Sequence, residues 1–409
     1  MFNINRFEAG IILHIIAFLI VNVCVRAQPP SAKEIRIDPA YALSVPASEV
    51  LDEVTYIPLE TTKESVFGYI YKLFITADNF IIYDKDTHSI LLFSKAGKFQ
   101  KKFPIGTYDS PGFLVNKQEN EIITLRGSML NSYGFDGVKK REVRGAFPGN
   151  PYFFPDNRTV YAYYGVKESV FRDTIVNEVS LTENGKRYAE FLPYNSKTSP
   201  IETGDWVTDN HYVFYEGGND TTILYCRPYD YNIYSITPAG VTREFSFILP
   251  LANTLPDTFF TTSTLQKGNR RAYFAANKAG VYGISFPYRS GNVLFFKLNS
   301  WENSLGNGDS YMYHIKSGTL VSVGGITEDE ISYFLPVTDL HEGDEFYNRN
   351  FLTSDNQYIY TSISAANLLK LKDKSLHTVS YPESLRNFFK KGSRLDNPVI
   401  VALKPKKEF

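Results

Sequence analysis

Six times along the chain an Asn-centred polar turn separates two apolar runs. The copies are Asp78-Asn79, Glu119-Asn120, Asp156-Asn157, Asp209-Asn210, Gly291-Asn292 and Asp355-Asn356. Each is followed by a strand-like run: Phe80–Tyr83, Glu121–Thr124, Thr159–Ala162, Tyr212–Tyr215, Val293–Phe296 and Tyr358–Thr361. Asp, Asn and Gly suit tight turns because they tolerate positive φ and because Asx side chains bond their own backbone. A second signal follows each run, an alternating strand that ends in a polar turn. Five of these turns hold a glycine, at Gly97, Gly137, Gly185, Gly240 and Gly318, and the sixth, at Leu368–Ser375, is eroded. Each unit therefore reads as four antiparallel strands, and a four-stranded antiparallel unit is a propeller blade. One blade cannot bury both its faces, so six of them must stack around an axis.

The composition agrees with an all-β reading. The 409 residues include 31 Phe and 29 Tyr against 3 Met, and aromatic and branched side chains favour the pleated surface of a sheet. A solenoid fits less well, because the units vary in length and lack a helix per repeat. A sandwich would make the six-fold turn pattern a coincidence. The expected fold is a six-bladed β-propeller with a short helix, Glu383 to Lys391, before a closing strand at Pro398–Leu403; Gly392 stops the helix. Two early runs, Glu34–Ile37 and Val54–Leu59, precede the first copy, and one of them is expected to pair into the last blade and remove its open edge.

The N-terminus reads as a targeting segment. Arg6 precedes an apolar run from Ala9 to Val25, and Val25-Arg26-Ala27 is a small-residue cleavage pattern. Residues 1–27 are thus expected to be a signal peptide, 28–53 an N-terminal extension and 54–409 the propeller. Export to the periplasm or outer-membrane surface follows, with no transmembrane segment after cleavage. Lipidation at Cys24 is the less favoured alternative, since Val23 is larger than the residue that usually precedes a lipidated cysteine. Cleavage after Ala27 leaves Cys226 as the one cysteine, which cannot form an internal disulfide and reads as a small buried hydrophobe.

The stretch Val54–Thr62 with Glu64-Ser65 and Gly68 resembles the opening segment of the Bacteroidetes six-bladed β-propeller family. So do the first blade, Phe80–Phe99, and the late Asp396–Val401. The resemblance runs from about Val54 to the end. It implies an exported propeller of largely unassigned function and brings no catalytic residue set. The family often carries a Gly-Pro-Gly-Glu loop after its first blade, whereas this chain has Ile105–Phe113 without the acid.

Function is less legible. In a four-stranded meander the first and third turns lie at one end of the strands, and the second turn and the link to the next blade at the other. The Asn and Gly turns are short. The insertions Tyr163–Asp173, Glu216–Tyr229 and Asn299–Asp309 read as second turns, and Pro193–Gly204, Pro250–Lys278 and Gly325–Asn350 as links. Insertions confined to one face mark a binding face. That face would carry Trp206, Trp301, Arg270, Arg271, Tyr164, Tyr215 and Tyr273, with Trp stacking on sugars or apolar groups and Arg pairing with carboxylates. Covering blade edges is the plainer reading of the same loops, and Trp206 reads equally as a core residue.

The chain has 43 basic and 44 acidic residues, a balance that argues against nucleic acid or an anionic membrane as the main partner and leaves room for a local basic patch. The acidic run Asp339–Glu345, which contains His341, lacks the spacing of a Ca²⁺ or zinc site, so no metal or cofactor is expected. Nucleophile-elbow, phosphate-loop, dinucleotide and zinc-protease motifs are absent, and no catalytic residue is assigned. The reading is a monomeric binding or scaffold propeller of the cell envelope, engaging a protein or glycan. The alternative is a lactonase-, lyase- or glycosidase-type propeller enzyme with a site over the central channel, because facing carboxylates from different blades leave no sequence spacing to read.

Overall fold

In the computed structural model the chain forms six antiparallel sheets arranged as blades. The structure describes residues 32–409 apart from 69, 106–111, 127–128, 145–149, 157, 163–175, 195–213, 263–264, 266–269, 302–308, 339–351 and 356. The signal segment, the Asp209-Asn210 turn, most of the Ile105–Phe113 loop and the Asp339–Glu345 run lie outside the described residues.

Blades 1 to 5 are sequence-local meanders spanning Lys72–Pro104, Gly112–Arg144, Asn150–Tyr194, Phe214–Ile248 and Gly283–Thr327. Blade 6 is composite. Its strands Thr353–Ser354, Ile359–Ile363 and Val399–Pro405 come from the C-terminal part, and its outer strand, Leu51–Pro58, from the N-terminal part. Tyr56 pairs with Val401 and Ile57 with Ile400 in this closure. The expected ring-closing strand is therefore the Val54 run, and it begins at Leu51. The Glu34 run goes elsewhere: Lys33–Arg36 adds parallel to the outside of blade 4, with Ile35 opposite Phe247, and Leu43–Pro46 adds parallel to blade 5. The extension covers two outer edges that would otherwise be open.

The three segments that carry the family resemblance meet at this closure. Asn397 is fully buried; its Oδ1 accepts from Phe67 N at 3.0 Å, and its Nδ2 donates to the carbonyls of Glu60 and Ser65 at 2.9 and 3.0 Å. Glu60 donates its backbone N–H to Gly97 O at 2.8 Å and accepts from Phe99 N at 3.0 Å. Gly97 has φ of 77°, and a Cβ there would stand 2.2 Å from the carbonyl oxygen of Pro58. Both the backbone conformation and the close approach require glycine. Gly137 presses on Phe103 and Gly240 on Phe191 in the same way, so three of the Gly turns rest against the outer strand of the preceding blade.

Apolar clusters fill the seams unevenly. One runs through blades 4, 5 and 6, and others join blade 6 to 1, 1 to 2 and 3 to 4. Among the described residues no such cluster crosses from blade 2 to 3. Strand alternation turns Ser132 and Ser180 toward that seam, both fully buried.

Two repeat copies differ from the sequence expectation. Blade 4 makes its first turn at Asn219–Thr221, where Asn219 Oδ1 accepts from Thr221 N at 2.9 Å; Phe214-Tyr215 is part of the inner strand itself. The Glu216–Tyr229 insertion is thus a hairpin followed by a short second turn. In blade 6, Leu368–Ser375 is not a strand and Gly turn. It belongs to the helix Ala365–Lys374, capped by Ser364 Oγ accepting from Asn367 N, and the third strand is Val399–Pro405. The Ser-Ala-Ala cap, not the alternation of Leu368, Lys370 and Lys372, was the decisive local signal. The helix Glu383–Lys391 forms as expected, with Leu385 and Phe388 buried.

Replacing Asn397 by Ala removes the side-chain partner of two buried backbone groups, Phe67 N and Ser65 O, at about 1–3 kcal/mol for each group left unsatisfied, while the Glu60 carbonyl keeps the Ser65 hydroxyl at 2.7 Å. N397A is expected to lose several kcal/mol in denaturant unfolding. A loss below about 1 kcal/mol would show that the closure does not depend on this side chain.

Candidate functional site

Every long connection leaves the same end of the strands. The first and third turns, as at 76–78, 95–98, 184–185, 291–292 and 315–319, are short. The extended segments 163–175, 195–213, 249–282, 300–309, 328–352 and 364–398 are all second turns or links.

The centre of the best-built part of this end is the second turn of blade 4, Arg227–Tyr231. Pro228 bridges to Gly283 of blade 5, and Tyr229 N donates to Tyr282 O at 2.6 Å. Tyr229 has φ of 59°, a left-handed conformation held by those contacts. The Tyr231 hydroxyl donates to Val281 O at 2.8 Å and accepts from Leu255 N at 2.8 Å. The turn thereby ties the 249–282 link to the wheel.

On one side of the turn lies a charged group. Arg227 Nη2 donates to Glu178 Oε1 of blade 3 at 2.7 Å, and Nη1 stands 3.6 Å from Asp230 Oδ2. Tyr225 donates to Glu178 at 3.1 Å and Tyr234 to Asp230 at 2.9 Å. Glu178 is 2% exposed. Burial pushes its carboxyl above the ordinary carboxylate range, against the pull of the Arg227 guanidinium and the Tyr225 hydroxyl. Burial also works against the Arg227 charge, but Glu178 and Asp230 more than offset it and raise that pKa. This group seals the seam between blades 3 and 4.

On the other side lies an aromatic group. Tyr229, Phe259 and Phe274 form its buried centre, with Phe260, Tyr273, Tyr282 and Trp301 packed around them. Tyr229 and Phe274 are parallel at 6.2 Å. Arg270, 2% exposed, lies 4.8 Å from the Tyr229 ring centre and 5.2 Å from that of Phe259, and its Nε donates to Leu265 O. Arg271 is exposed and stands 5.9 Å from the Trp301 ring.

Of the sequence-predicted residues, the structure brings Arg270, Arg271, Tyr273 and Trp301 together. Arg271 is open to solvent, and Tyr273 and Trp301 partly so, whereas Arg270 is packing inside the cluster and cannot meet a ligand directly. Tyr215 is displaced from the face: it is a buried inner-strand residue edge-on to Phe286 and Tyr288. Trp206 and Tyr164 lie outside the described residues. Sequence reasoning missed Tyr229, Arg227, Asp230 and Glu178. The Arg-Pro-Tyr-Asp turn composition was readable, but the inter-blade pairing with Glu178, 49 positions upstream of Arg227, was not. Cys226 is buried, as expected, and burial pushes its thiol pKa well up, away from nucleophile chemistry. Among the described residues no three His, Cys, Asp or Glu side chains are grouped to hold a metal ion.

The sequence profile of the family described as domain of unknown function DUF4934 matches residues 33–404. The structure is similar to that of a Bacteroides fragilis protein whose name proposes that it is exported. The two share 16% identity and a TM-score of 0.64, over 92% of this chain and 100% of that one. A Bacteroides vulgatus protein of the DUF4221 family is more distant, at 10% identity and a TM-score of 0.44 over 87% and 97% of the two chains. Virginiamycin B lyase from Staphylococcus aureus overlaps at 14% identity and a TM-score of 0.34, over 66% and 73%. No curated protein matches the chain.

Replacing Arg227 by Met leaves the Glu178 charge buried without its cation. R227M is expected to destabilise the fold by about 3–5 kcal/mol, as measured by denaturant unfolding. The raised Glu178 pKa sets the sign of a pH effect. The folded state holds that proton more tightly than the unfolded state, so the stabilisation is full below the unfolded carboxyl pKa and is lost as pH rises through the raised value. The Tm advantage of wild type over E178Q should therefore shrink as pH rises from the acid side. An advantage that grows instead would mean that the Arg227 pairing outweighs burial.

Proposed function

Given that the chain belongs to the DUF4934 family, a family described only by its unknown function, we propose that it is a binding propeller of the cell envelope. It engages a protein or glycan through the end of the wheel that carries the long connections, and it works as a monomer. The observation that carries this reading is the placement of Arg271 and Trp301. They are held at the solvent edge of a packed aromatic floor, on the end of the strands where all the insertions gather. A flat aromatic beside a planar cation suits a sugar ring bearing a carboxylate or an acidic loop of a protein. The described rings of the floor are packed on one another, and a surface already ordered by packing loses less conformational entropy on binding. Export is supported by the Ala9–Val25 run with its small-residue end and by the name of the Bacteroides fragilis neighbour. Among the described residues no helix is long and apolar enough to cross a membrane.

The second reading, a propeller enzyme over the central channel, draws its support from Glu178 and Asp230, carboxylates of two blades joined through Arg227. The burial of Glu178 inside the seam favours a structural role for the pair.

The test is a glycan microarray probed with wild type, W301A and R271A, together with photo-crosslinking of envelope fractions from a reactive group placed at position 301. W301A is expected to lose about tenfold or more in affinity, the effect of removing a central aromatic contact, with its fold intact. Binding that survives both substitutions, or crosslinks that arise only from the short-turn end, would overturn the assignment. Turnover of a bound glycan that disappears in E178Q would favour the enzyme.

A further inference from the structure

The connection between the second and third strands of blade 6, residues 364–398, contains seven Lys or Arg and three Asp or Glu in a chain whose formal net charge is -1. Its two helices, Ala365–Lys374 and Glu383–Lys391, are fixed to the wheel by Leu368, Leu385 and Phe388, all buried in the large core cluster. The intervening segment is pinned by the stacking of His377 on Phe334 at 3.7 Å and by the Tyr381 contact with Phe389 at 4.8 Å. The outward faces carry the charge: Lys370, Lys374, Arg386, Lys390, Lys391 and Arg394 are all exposed.

Each helix ends alike. Lys372 and Lys374 occupy the last turn of the first helix, and Leu376 follows, 99% exposed. Lys390 and Lys391 occupy the last turn of the second, and Leu395 follows, 84% exposed. Basic side chains at a helix C-terminus are favourable in themselves, and a single exposed leucine is unexceptional. Two packed helices whose ends present exposed lysines, Lys374 on one and Lys390 and Lys391 on the other, each followed by an unburied leucine, are a different matter; Lys372 is half-buried and ion-paired with Asp373 at 3.2 Å. A soluble polyanion would pair with the lysines and leave the leucines in water. An anionic bilayer satisfies both, drawing in the cations by its surface potential and taking the leucines below the headgroups.

We propose that this helical connection of blade 6 is a peripheral docking element for an anionic lipid surface. The near-neutral chain as a whole gives no such attraction; the attraction is local to this insertion. The second helix packs against the closing strand Leu51–Pro58, whereas the aromatic floor is built on blades 4 and 5, so the two elements share an end of the strands but no residues.

The experiment is co-sedimentation of the full chain with vesicles of phosphatidylglycerol and phosphatidylcholine, and with phosphatidylcholine alone. The variants are L376S/L395S and K390E/K391E. All substituted positions are exposed, and unchanged circular dichroism and Tm would establish that the fold is retained. Wild type should partition onto the anionic vesicles and not the neutral ones, and added salt should weaken the binding. K390E/K391E should lose tenfold or more, at about fivefold per charge near the surface. The leucine variant should lose binding with its charge unchanged. Failure of wild type to bind anionic vesicles at low salt would overturn the proposal. So would undiminished binding by L376S/L395S, since that result would show charge attraction without the leucine insertion that distinguishes a bilayer from any other polyanion.

Discussion

The structure depends on one pairing, that of Leu51–Pro58 with Val399–Pro405. Blades 1 to 5 can each form from a contiguous stretch of chain, but a ring of blades gains its full burial only when the last is completed. An unclosed blade 6 would present Val399–Leu403, a fully buried apolar run, as an open edge. The closure is reinforced by polar contacts as well as by the ladder. Asn397 gathers the Glu60–Phe67 loop, Glu60 reaches Gly97 and Phe99 of blade 1, and Tyr56 donates to the carbonyl of Pro336 at 2.9 Å. Blades 6 and 1 are thus locked together at the point where the chain enters and leaves the wheel. Among the described residues no apolar cluster spans the seam between blades 2 and 3, two seams round the ring from this lock, where Ser132 and Ser180 are buried.

The same architecture explains why elaboration is one-sided. Third turns with Gly97, Gly137 and Gly240 press against the outer strand of the blade before, so they have no room to grow. The long insertions are instead in second turns and links, at the other end of the strands. The insertions then create new packing. Tyr229 in a short turn, Phe259 and Phe274 in a link, and Trp301 in a neighbouring turn condense into a cluster separate from the blade core. Arg270 lies within that cluster as a cation among rings, and its neighbour Arg271 is left outside over Trp301. Adjacent arginines on one helix therefore have opposite fates, one structural and one available.

The legibility of the chain follows the range of the interactions. The Asn and Gly turns report local backbone needs, which is why most of the blades could be placed from residues alone. The helix Glu383–Lys391 was readable for the same reason, its apolar stripe and Gly392 being local signals. The errors arose where local signals competed. Asp209-Asn210 resembled a first turn, but the turn that forms uses Asn219, and Leu368–Ser375 alternated like a strand although Ser364 caps a helix.

By itself the sequence determined the all-β character, the six-fold repeat and the end of the strands on which insertions accumulate, because turn chemistry and strand periodicity act over a few residues. Only the tertiary structure decided which early strand closes the ring, that Arg270 is interior while Arg271 is not, and that Glu178 meets Arg227. Those outcomes depend on segments far apart in the chain coming into contact, and on burial, which no residue carries in its own identity.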